Sequence, residues 1–281
     1  MSPIHDQTYR RYEGHREPAG KTWMVIAWAG IRNMLQKRAF LGLLIFAWVP
    51  FLVRAVQFYV AANYPQVSDI IAPAATTFRD FVSQQGTFAF FVTIYVGAGL
   101  IASDRRANAL QIYLSKPIRR IEYIGGKLAT LLFFLLGVTM LPAFLLLLIQ
   151  ISFAGNIDIL REYPYLPPAI LLATLIQVLV MSCTMLALSS LSNSPRYVAI
   201  LYTGAIFFTS AIFGALVAIT GGTRVAWISI TSNVSQVTDA IFRQTPGYQS
   251  PWQVSLIVLL ALIALSISVL ERRVKGVEVV S

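Results

Sequence analysis

"DRRANALQIYLSKPIRRIEYIGGK", from Asp104 to Lys127, is an island of charge in an apolar chain. "TFAFFVTIYVGAGLIAS" (Thr87–Ser103) precedes it and "LATLLFFLLGVTMLPAFLLLLIQISF" (Leu128–Phe153) follows it. The island holds six Lys/Arg and two acids, whereas neither flank holds any. Apolar runs on both sides of a short charged segment read as two membrane-crossing helices joined by a polar connection.

The rest of the chain repeats that pattern. Of its 281 residues 57% are hydrophobic and 12% charged, and the mean hydropathy is +0.68. A soluble domain carries about twice that share of charge. The expected fold is all-α and polytopic, a single membrane domain over 21–281 behind a polar tail, 1–20. Six spans are expected near 39–62, 87–103, 128–153, 166–191, 197–220 and 252–270. Each approaches the length needed to cross about 30 Å of hydrocarbon as a helix. The second is short and should extend into its flanks. Pro50 and Pro142 fall inside spans and should kink them.

The net charge is +10. Nucleic-acid binding would place such charge on a soluble face; here it borders the spans. Seventeen of the twenty-two Lys/Arg lie in the N-terminal tail, the island, the turn at Arg196 and the C-terminal tail. Four lie in the other loops (Arg79, Arg161, Arg224, Arg243), and Arg54 lies in a span. The positive-inside rule then puts both termini and the island in the cytoplasm of a multi-pass plasma- or inner-membrane protein, of bacterial type. The first twenty residues contain no apolar core, so no cleavable signal is expected there. Before the first span, "KTWMVIAWAGIRNMLQKR" (21–38) sets Trp23, Ile26, Ala27, Ile31, Met34 and Leu35 near one helical face. This predicts an amphipathic helix along the inner leaflet, the alternative being the start of a tilted first span.

Several chemistries are excluded. Cys183 is the lone cysteine, and His5 and His15 lie in the tail, so no His/Cys metal site is expected. "GHREPAGKT" (Gly14–Thr22) and "GGKL" (Gly125–Leu128) fail the phosphate-loop spacing and residue types. The spans hold no Asp or Glu, which argues against an ion-coupled carrier. Arg54 sits near the outer end of its span, where snorkelling to the headgroups accounts for it more simply than a substrate contact.

Within the island, Ala107, Leu110, Tyr113 and Leu114 share a helical face, predicting a short helix from Asp104 to Leu114. Lys116-Pro117 should break it, because proline disfavours helix at the preceding residue. A second short helix follows over Ile118–Gly126, with Gly125-Gly126 able to end it or hinge it. An amphipathic helix on the cytoplasmic side needs a protein groove or the lipid surface to bury its face.

"LSKPIRRIEYIGGK" resembles the cytoplasmic loop of type-2 ABC exporter permeases: a Leu-rich helix, a Lys-Pro elbow, basic residues, an aromatic and Gly-Lys. The six-span frame agrees along the whole chain. The resemblance implies two six-span permease subunits, identical or not, each docked on a separate ATPase subunit. It implies that Asp104, Arg105, Arg106, Leu110, Tyr113, Leu114, Lys116, Pro117, Arg119 and Arg120 form the coupling contact. ATP with magnesium is then bound by the partner, and this chain has no catalytic residue, metal or cofactor of its own. Membrane lipid, not nucleic acid, is its other surrounding. An uncoupled secondary transporter or channel is the alternative, and a membrane enzyme or scaffold a third.

Ser210, Gly214 and Ala218 recur every fourth residue in the fifth span. Such spacing allows close helix approach, at a subunit interface as the resemblance implies or within the chain. Val234, Val237 and Ile241 predict a short amphipathic helix in the loop before the last span.

Overall fold

Apolar chain in a bilayer must satisfy its backbone groups internally, and helices do this. The computed structural model describes residues 22–64, 74–109 and 118–274, and the regular elements among them are all helical. Six stretches are long and apolar enough to cross a membrane: Arg38–Asn63, Ala75–Arg106, Arg120–Ala154, Leu166–Leu191, Pro195–Thr220 and Trp252–Arg273. The chain is an all-α polytopic membrane protein. The second span gains three turns at its start, reaching back to Ala75 and taking in Arg79.

Three spans are interrupted. The first is α2 (Arg38–Ala47) and α3 (Val49–Asn63), parted at Trp48 with Pro50 in the first turn of α3. Proline lacks the N–H that would continue the ladder, so the break falls just before it. The second is α4 (Ala75–Val92), a π-helical turn (Thr93–Gly97), and α5 (Ala102–Arg106). The third is α6 (Arg120–Val138) and α7 (Met140–Ala154), parted at Thr139 three residues before Pro142. There the Thr139 hydroxyl donates to the Leu135 carbonyl at 2.8 Å. After the short α8 (Asp158–Glu162), α9 (Leu166–Leu191) and α10 (Pro195–Thr220) run unbroken. A 3-10 turn (Ala226–Ile228) and α11 (Ile230–Ile241) precede α12 (Trp252–Arg273).

The fourth span is the hub. In its most apolar stretch 61% of residues are buried, against 6% in the fifth span. α9 touches α4, α6, α7, α10, α11 and α12. α10 buries only Val198 and Tyr202.

α1 (Thr22–Leu35) is separate from the first span, the chain turning at Gln36-Lys37. Ala27, Ile31 and Met34 are buried and Ile26 joins the core, but Trp23 and Leu35 of the expected face are exposed, as are Met24, Val25 and Trp28. The buried stripe rests on α6 rather than on lipid. Two glycines permit it. A Cβ at Gly30 would stand 2.6 Å from the Thr130 hydroxyl oxygen, and one at Gly126 would stand 2.8 Å from the Trp23 carbonyl oxygen. α6 continues through Gly125-Gly126, so these glycines do not end it. Gly126 marks a helix crossing instead.

At the opposite end of the bundle, α11 forms where Val234, Val237 and Ile241 predict a helix, with Val237 buried. Its polar face is buried too. Gln236 donates to the carbonyls of Tyr248 (3.1 Å) and Ser250 (2.7 Å) and accepts from the Tyr248 N–H (3.2 Å). Asp239, whose side chain is 4% exposed, takes Arg79 Nε at 2.6 Å. Arg79 also donates to Ser235 at 2.9 Å, so α4 and α11 are joined. Arg54, in α3, donates to Gln57 of the same helix at 2.9 Å.

Candidate coupling site

The second span must end before the island, and its end is irregular. The π-helical turn and the turn at Ala98–Ile101 leave backbone groups without helical partners. Ser189 of α9 supplies them. Its Oγ accepts from the N–H of Ile101 (3.1 Å) and Ala102 (3.0 Å) and donates to the carbonyl of Ala98 (2.9 Å). Next to it, Arg105 donates to the backbone carbonyl of Ser190. The end of the second span is thereby fastened to the end of the fourth.

Asp104 fastens the same point to the third span. Its Oδ2 accepts from the Tyr123 hydroxyl at 2.7 Å and from Lys127 Nζ at 2.7 Å. Tyr123 and Lys127 are one helical turn apart on α6, and Lys127 also lies over the Tyr123 ring, 5.4 Å from its centroid. Tyr123 is fully buried, and the Asp104 and Lys127 side chains are 19% and 14% exposed. A charged pair so placed is screened much less than a surface pair.

Beyond this clamp the island opens out. Arg106, Arg119 and Arg120 are exposed. Glu122 takes the Arg119 N–H at 3.0 Å, starting α6 with an acid in its first turn, where the helix dipole favours it. The expected single helix from Asp104 to Leu114 is interrupted. Asp104, Arg105 and Arg106 end the second span, and Asn108 adopts φ +52°. A left-handed residue ends a right-handed helix, and asparagine tolerates that conformation better than most. Leu110, Tyr113, Leu114, Lys116 and Pro117 lie outside the described residues.

The structure therefore brings Asp104 and Arg105 into one anchoring cluster and leaves Arg106, Arg119 and Arg120 at its rim. The sequence reading missed Tyr123, Lys127 and Ser189. Tyr123 and Lys127 carried a signal: an aromatic and a cation at i, i+4 facing an acid at the island's start.

The small residues of the fifth span divide. Ser210 turns inward, its Oγ 3.3 Å from Ser229 Oγ and 3.1 Å from Thr231 Oγ1. Gly214 and Ala218 are exposed, and a Cβ at Gly214 would meet nothing within 4 Å.

Among known families, the model described as "ABC-2 family transporter protein" matches residues 24–273. A comparison with curated proteins gave no match.

Proposed function

The chain belongs to the ABC-2 transporter family and is a membrane-embedded transport component, and from that premise we propose that it is the permease of an exporter driven by a separate ATPase subunit. The observation that carries this reading is the clamp at Asp104. It joins the second span to the third on either side of the island, and Ser189 and Arg105 join both to the fourth. A push delivered to the island is thus passed to three spans as one body. The exposed Arg106, Arg119 and Arg120 give the rim a cationic surface for a partner. In this reading the partner binds and hydrolyses ATP with magnesium, and the permease supplies no catalytic side chain. The island and both termini face the cytoplasm of a bacterial inner or plasma membrane. α1 lies in the inner leaflet, its Met24, Val25 and Trp28 meeting lipid and its other face resting on α6. A second permease subunit covers the fifth span, where Gly214 and Ala218 leave room for a close helix.

The test replaces Leu110 and Leu114 together by alanine. Burial of each in a partner groove contributes about 1.5–3 kcal/mol, so docking should weaken by roughly a hundredfold or more. Membrane abundance should stay normal while the ATPase no longer co-purifies. Pro117→Ala should retain the ATPase but hydrolyse ATP without transport. A double variant that still holds its ATPase and transports normally refutes the coupling role.

A further inference from the structure

A cleft of about 400 Å³ lies between α4, α9, α10 and α11. Its walls are mostly apolar, with Phe90, Val180 and Ile206 among them, and the exposed Phe91 and Phe207 line it too. Polar side chains interrupt this lining, Gln177 and Thr184 among them. Gln177 is 4% exposed, and its amide makes no hydrogen bond among the described residues. The Thr184 hydroxyl oxygen is closed off from the cleft and has no partner among the described residues. Both belong to α9, and Gln177 lies about 17 Å along the helix from its start, near the middle of a bilayer. An unpartnered amide that faces the cleft at that depth is costly, and a ligand that pairs with Gln177 relieves the cost. Gly86 makes room for the amide, since a Cβ there would collide with the Gln177 nitrogen.

The charge of the lining narrows the ligand. Arg79 is the charged residue among the described lining, and it is already engaged by Asp239, Asp80 and Ser235. No free charge is offered to an ion, and an isolated ion would bear its full desolvation cost.

We propose that the cleft binds an uncharged amphiphile, with its apolar body along Phe90, Val180 and Ile206 and a neutral hydrogen-bonding head at Gln177. A carboxamide both donates and accepts, so a polyol or amide head satisfies Gln177. The volume suits a single-chain or drug-sized molecule. As a binding site the cleft stands alone; as the site of the transported molecule it rests on the export reading above.

The experiment photolabels the full chain in detergent with diazirine-tagged monodecanoylglycerol, monodecyl phosphate and decyltrimethylammonium. The neutral probe should label α9 and α10 saturably, and the two charged probes should be at least about tenfold weaker. Gln177→Leu should weaken neutral labelling about tenfold while leaving the melting temperature unchanged or higher, because it removes an unsatisfied buried amide. Gly86→Ala should weaken labelling as well. Equal or non-saturable labelling by all three probes, preference for the phosphate, or a Gln177→Leu chain that melts lower and labels normally would overturn the site. Labelling needs no ATPase, so it is independent of the export reading. Saturable labelling without stimulation of ATP hydrolysis in the assembled transporter would assign the cleft to a resident bilayer lipid and overturn the substrate assignment.

Discussion

Asp104→Asn removes one charge from the clamp and almost no volume. The Tyr123 hydroxyl can still donate to the amide oxygen, but Lys127 is left as a mostly buried cation without its counter-ion. A hydrogen bond to a charged group contributes about 1.5–3 kcal/mol, and breaking a fully buried pair costs about 3–5 kcal/mol. With the Asp104 and Lys127 side chains 19% and 14% exposed, the site lies between these cases. A loss of about 2–3 kcal/mol is expected, a shift of roughly 30- to 150-fold in the unfolding equilibrium. Lys127→Met should cost a similar amount. The double variant should cost little more than either single, giving a coupling energy of about 1.5–2 kcal/mol. Tyr123→Phe, which keeps the ion pair, should cost about 1 kcal/mol. The measurement is reversible unfolding in mixed micelles of rising dodecyl sulfate content, followed by far-ultraviolet circular dichroism. Single losses that simply add in the double variant, or an Asp104→Asn chain within about 0.5 kcal/mol of the parent, would show that the three side chains do not act together.

The crossing of α1 on α6 distinguishes neighbouring glycines. Gly126→Ala should destabilise by about 1–3 kcal/mol, because its Cβ meets backbone at Trp23, whereas Gly125→Ala meets nothing within 4 Å and should be neutral or gain up to about 1 kcal/mol in the same unfolding assay. Ser189→Ala strips two N–H groups and one carbonyl of their partner and should cost about 1–3 kcal/mol, while Ser182→Ala, whose buried hydroxyl has no partner among the described residues, should cost less than about 0.5 kcal/mol. In a Cys183→Ser background, a cysteine at the exposed Thr245 should react with an impermeant maleimide from outside intact cells, and cysteines at Ser115 and Ser281 should react only after permeabilisation. Labelling of Ser115 from outside would reverse the orientation.

The spans were legible because the bilayer imposes length and apolarity on contiguous residues, and Leu166–Leu191 could be read to the residue. The start of the second span was not, because "ATTFRDFVSQQG" carries polar residues that are bonded or buried only in three dimensions. Arg79 resembles a loop cation until Asp239, 160 positions away, closes on it. The same limit applies at the island. Its basic residues and its proline stand out in sequence, but Ser189 is one hydroxyl in an apolar run, and the backbone it serves belongs to another helix. Asn108 was readable in principle, since asparagine favours left-handed turns, yet helical spacing on both sides masked it. Gly125-Gly126 reads in sequence as a pair able to end or hinge a helix, because the neighbour that Gly126 admits, α1, is distant in sequence.

The fifth span is held unevenly, and this gives it a mechanical character. Its buried residues, Val198 and Tyr202, both lie in its first eight positions. Beyond Tyr202 the helix continues for about 27 Å to Thr220. Along that length its ties are Ile206, packed on the core, the edge contact of Phe207 with Phe90 (6.3 Å between centroids), the Ser210 hydroxyl beside Ser229 and Thr231, and the edge contact of Phe213 with Tyr248 (5.5 Å). Each such hydroxyl bond is worth about 1 kcal/mol, far less than the burial that fixes the other end. A rod clamped at one end and lightly caught near its middle pivots about the clamp. A swing of about 5° around Tyr202 carries Thr220 by about 2 Å. In the export reading the span would act as a lever whose short arm sits beside the anchoring cluster, and a small displacement there would become a larger one across the membrane.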